Sequence, residues 1–166
     1  MRRVVAATSC VAAVAAGSLL AGCSSSQGTS ATSAATPGQP VPASAIHRLT
    51  AIADRIVKFN GGAAPVWVSV AVTTHAKALT SATPGDTTAG NEDVVVYLIT
   101  MKGHFVDDHA TGPPGASAPT GSYLSAVLDA RTFQSMDFGL SHRRPPVAPS
   151  SFGPVTYLKV TSGART

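Results

Sequence analysis

Cysteine is almost missing from this 166-residue chain: Cys10 and Cys23 are the only two, both near the N-terminus. No disulfide can therefore staple the residues that follow, and the body of the protein must fold on packing alone. Charge is sparse as well, at 12% of residues, and its Lys and Arg form no basic stripe. That removes the electrostatic footprint of a nucleic-acid-binding protein. Also missing are a Gly-x-Ser-x-Gly elbow, a Gly-x-x-x-x-Gly-Lys phosphate loop and paired dinucleotide glycines. Serine, His and Asp all occur, but in so serine-rich a chain their coincidence carries little. Enzyme is the weaker reading, and no cofactor is expected.

What is present begins with an export signal. Met1-Arg2-Arg3 is a positive n-region, and Val4 to Leu19 is an apolar run rich in Ala and Val, so residues 1–22 read as a secretory signal peptide. The run is short and meets Ser24-Ser25-Ser26 at once, which argues against a membrane-spanning helix. Leu20-Ala21-Gly22-Cys23 resembles the bacterial lipobox. The resemblance implies that Cys23 takes a diacylglyceryl group, that the signal is cut before it, and that the chain is held by lipid on the outer face of the cell membrane. Alkylation of sulfur by the lipid donor uses the thiolate nucleophilicity of cysteine.

Removal of residues 1–22 from the 166 leaves 144, enough for one domain with a core. Arg2 and Arg3 leave with the signal, so ten basic residues face eight acidic ones and the mature net charge is +2. Residues 23–43 (with SSSQGTSATSAATPGQPVP as their bulk) show no apolar periodicity and read as a lipidated flexible tether. A coil of about 20 residues would hold the domain roughly 25 Å from the membrane.

Residues 44–166 read as a single domain with a Pro-rich tail. Ser44 to Asn60 predicts one helix, N-capped by Ser44, with Ile46, Leu49, Ala53, Ile56 and Val57 along one side. Asn60-Gly61-Gly62 ends it. Val66, Val68, Val70 and Val72 alternate with Trp67, Ser69, Ala71 and Thr73 and predict a strand. Lys77 to Asp93 reads as a loop. Val94 to Phe105 is apolar on both faces and predicts a central strand. After a loop over Ala110 to Ser122, Tyr123 to Ala130 and Phe133 to Phe138 predict two more strands around an Asp129-Ala130-Arg131-Thr132 turn, and Val155 to Val160 predicts an edge strand. The order predicts an α+β fold: one N-terminal helix packed on a curled antiparallel sheet of four or five strands.

Helix, antiparallel strands and the Val-Leu-Asp-Ala-Arg-Thr hairpin turn together resemble the cystatin-like PepSY group of exported bacterial proteins over residues 44–140. In that group the position of Phe133 is often Gly. With the lipobox and tether, the whole also resembles the small lipoproteins of actinobacterial envelopes. These resemblances imply a non-catalytic binding module whose partner is an envelope protein or lipid, or else a purely structural envelope component.

Two sets of residues are candidates for a site. His104, Asp107, Asp108 and His109 bring imidazole and carboxylate together and are the candidate metal ligands for the alternative reading, a metal-assisted hydrolase; His75 is a possible neighbour. Their spacing matches no zinc signature. Trp67, Val94, Val96 and Leu98 fall on the sheet face away from the helix, and are expected to form an open partner-binding face unless a loop or the Pro-rich tail folds over it. His142-Arg143-Arg144 reads as a solvated turn.

Overall fold

The computed structural model describes residues 34–85, 90–111, 113 and 115–161. The signal peptide, Cys23 and the tether as far as residue 33 lie outside them.

A helix, α1 (Ala43–Phe59), opens the fold. Ala45, Leu49, Ala53 and Val57 are all buried, one on each successive turn, and Ile46, Ile52 and Ile56 pack beside them. A fully buried Leu such as Leu49 contributes roughly 1.5–3 kcal/mol by leaving water. Pro42, not Ser44, sits at the N-cap, and no side chain caps the first turn. At the other end Asn60 turns its backbone N–H and its Nδ2 back to Ile56 O, and Gly62 N–H reaches Val57 O. Gly61 and Gly62 supply the left-handed backbone (φ 101° and 72°) that this reversal needs.

Under α1 lies an open, all-antiparallel sheet: β1 (Trp67–Thr74), β2 (Val95–Val106), β3 (Thr120–Asp129), β4 (Ser135–Ser141) and β5 (Thr156–Leu158), in the order β4-β3-β2-β1-β5. The strand expected at the centre, apolar on both faces, is there: β2 pairs with β1 and β3. On the α1 side Val68, Val70, Val72, Tyr97, Ile99, Met101, Leu124, Ala126 and Leu128 close the main core. A helix packed on an antiparallel sheet is the α+β architecture that the chain's periodicities predict.

The second face corrects two expectations. Residues 75–82, read from sequence as strand end and loop, form a second helix, α2 (His75–Ala82). Ala78 and Leu79 are buried, and Ala78 joins Val96, Leu98 and Val127 in a smaller core. Farther along, the Pro-rich segment comes back over the sheet: the Ser81 hydroxyl donates to Val147 O, and Phe152, at the end of a short 3-10 turn (Pro149–Phe152), packs on the same core. Gly139 lets α2 settle on β4, because a Cβ there would collide with the Ala82 carbonyl oxygen. His75 reaches Asp137 across the same contact.

Packing also starts earlier than Ser44. Val41 is buried, and Gly38 N–H donates to Val72 O along the outer edge of β1.

Candidate functional site

Of the four residues expected on an open face, the register does put Trp67, Val96 and Leu98 on one side of the sheet, opposite α1. That side is not open. Val96 and Leu98 are fully buried beneath α2, whose apolar positions needed a sheet to cover. Trp67 is half-buried and meets Tyr123 edge-on, with ring centroids 6.4 Å apart. Val94 borders a groove on the α1 side, described below.

The His/Asp set lies around the end of β2. His104 is exposed, beside a bulge between Lys102 and Phe105. Asp107 Oδ1 accepts the His109 N–H in a local turn, and the His109 ring packs against Phe59 at 5.3 Å. Among the described residues no three His, Cys, Asp or Glu side chains converge to hold a metal ion. His75 points elsewhere, to Asp137.

A groove of about 900 Å³ opens instead on the α1 side, where three segments distant in sequence meet. The start of α1 contributes Ser44, Ala45 and Arg48, with Ala34 and Ala35 leading in. Val94, Val95 and Tyr97 come from the start of β2, and Asp129, Ala130, Arg131 and Phe133 from the β3–β4 turn. Its volume falls within the range of about 300–1,000 Å³ usual for small-molecule sites.

Phe133 shapes the groove. Its φ of 64° is left-handed, a conformation that costs a residue with a Cβ about 1–2 kcal/mol. Asp129 sets the turn: Oδ1 accepts the N–H groups of Arg131 and Thr132 and the Thr132 hydroxyl, while Phe133 N–H returns to Asp129 O. These bonds, the Thr132 N–H foremost, hold the Asp129 carboxyl below its ordinary pKa. The turn then presents the Phe133 ring to Tyr97, with centroids 5.3 Å apart, and to Arg48, whose guanidinium carbon stands 4.2 Å from the ring centre. Arg48 also donates to Thr132 O at 3.1 Å. A carbonyl and an aromatic face thus hold this guanidinium. Burial pushes the Tyr97 phenol above its usual pKa.

The chain matches no protein-family model, no curated protein and no solved structure. The chemistry of the groove is read from its own residues: apolar walls, two arginines and the Asp129 carboxylate.

Sequence reasoning missed the groove because no one segment contains it. One signal was visible: Phe133 follows directly on the Asp129-Ala130-Arg131-Thr132 turn, at a position whose left-handed backbone favours Gly.

Proposed function

We propose that this chain is an exported, membrane-anchored lipoprotein, lipidated at Cys23, that acts as a non-catalytic binding module through the groove between α1, β2 and the β3–β4 turn. The observation that carries the reading is Phe133, kept in a costly left-handed backbone while its ring and Arg48 line a cavity of ligand size. Strain of this kind concentrates where a clamp or binding surface must be held in place. The apolar lining favours a lipid of the envelope over a protein partner. Placement supports it as well. Ala34 borders the groove only eleven positions after Cys23, so lipid on Cys23 would sit close in sequence to the groove.

A photo-crosslinking residue placed at Ala130, on the groove, is compared in cells with one at Lys77, exposed on α2. An adduct specific to position 130, lipid or protein, supports the module; equal labelling at both positions contradicts it. The anchor has its own test. Cys23→Ser should remove the lipid and leave unprocessed precursor or free soluble chain, and an unchanged mature N-terminal mass would refute it.

A further inference from the structure

The groove is apolar along its walls but cationic where α1 begins. Ala45, Val95, Tyr97 and Phe133 offer hydrocarbon and aromatic surface. Arg48 and Arg131 stand beside them, both exposed. The first turn of α1, which brings Ser44 and Ala45 to the groove, has no side-chain cap and no acidic residue. Ala45 N–H closes on the Pro42 carbonyl oxygen, and the start of this 17-residue helix carries the positive end of its dipole. The one carboxylate at the groove, Asp129, already takes three donors from its own turn on Oδ1. Asp129 also faces the charge of Arg131, so the cation left to be answered beside the apolar trough is chiefly Arg48.

Taking the groove to be the binding site, we infer that its ligand is a long-chain amphiphile with an anionic head, the chain lying along Val95, Tyr97 and Phe133 and the head meeting Arg48 and the start of α1. Arg48 is suited to this role. Its contacts with the Thr132 carbonyl and the Phe133 ring leave guanidinium N–H donors free, in the planar fork that matches a carboxylate or phosphate. Tyr97, almost wholly buried, adds a neutral surface under the chain. A neutral amphiphile would fill the trough and leave Arg48 without an anion.

Three probes with one hydrocarbon chain separate the possibilities: oleate, oleoyl lysophosphatidate and oleyl alcohol, each below its micelle concentration. They displace a fluorescent fatty acid from the mature chain, residues 23–166, carrying Cys23→Ser so that no attached lipid competes. Both anions should bind at least about tenfold more tightly than the alcohol, the worth of one charge-assisted contact. Arg48→Gln should lose that preference and leave alcohol affinity within about twofold. Arg131→Gln, which disturbs no ring contact, gives a second reading of the charge term. The stronger of the two anions identifies a carboxylate or a phosphate head. Equal affinity for alcohol and anions overturns the inference while the groove stands as a lipid site. Binding that survives both Arg48→Gln and a groove-filling Ala130→Trp places the ligand elsewhere and overturns the groove reading too. If no probe binds and the crosslink at position 130 captures a protein, the ligand class is wrong and the module is not.

Discussion

His75 and Asp137 face each other across the contact between α2 and β4, with Nε2 of the imidazole on Oδ2 of the carboxylate. The other ring nitrogen, Nδ1, is buried without a partner. The pair therefore fixes α2 on the sheet with one strong contact and no reserve. Asp137→Ala leaves both ring nitrogens of a buried His75 unpaired, and should cost about 1–3 kcal/mol in denaturant unfolding. His75→Ala with Asp137→Ala should cost less than the sum of the two single changes, since residues in contact couple. Strict additivity would show that the pair contributes nothing.

Gly139 is predicted to tolerate no side chain. A Cβ at this position meets the Ala82 carbonyl oxygen, so Gly139→Ala must push the end of α2 off β4. Overpacking of this kind typically costs about 1–3 kcal/mol. Hydrogen exchange should quicken in residues 75–82 while α1 stays protected, and unchanged protection there would show that the helix end yields freely.

The turn at Phe133 offers a comparison of two substitutions. Both Phe133→Ala and Phe133→Gly lose the contacts with Tyr97 and Arg48, but only Gly adopts a φ of 64° without strain. Phe133→Gly should thus be the more stable of the two, by about 1 kcal/mol. The reverse order would mean that the backbone relaxes once the ring has gone.

Asp129 sets a pH dependence. Its folded-state pKa is depressed, chiefly by the Thr132 N–H, so its contribution is fully present above the unfolded carboxylate range and is lost as pH falls through the lower, folded value. Asp129→Ala should be less stable than wild type by about 1 kcal/mol near neutrality. The gap should close in acid. A difference that stays constant from neutral pH into strong acid would show that the turn is held by something other than the ionised carboxylate.

How much of this was legible in the sequence depended on length and period. The apolar stripe of α1 runs over four turns and β2 is apolar on both faces, so each declared itself, and Asp129 to Thr132 marked the hairpin. In α2 the spacing of Ala78, Leu79 and Ala82 is helical, but eight residues, five of them Ala, Thr or Ser, carry too few large apolar positions to stand out from a loop. Missing α2 made Val96 and Leu98 look like an open surface. The groove is a tertiary product, made where Arg48, Tyr97 and Phe133 meet from three elements, and a linear pattern does not contain such a meeting.

Gly38 and Gly153 cross closely enough that a Cβ on Gly153, at φ 132°, would stand 2.9 Å from the Gly38 Cα and carbonyl oxygen. The segment entering the domain bonds Val72 on the outer edge of β1, while β5 bonds the stretch from Val68 to Val70 on that same edge. Chain from both ends thus occupies one strand edge, which leaves it little free backbone for a foreign strand to pair with. The arrangement also has a mechanical reading. Tension arriving from the N-terminal side meets the Gly38–Val72 bond before it meets α1, and it meets that bond singly, as a zipper does, whereas the β1–β2 ladder carries its bonds in parallel. A pull on the N-terminal side should peel this crossing open at low force and leave the sheet intact, giving the domain a compliant joint at its N-terminal end.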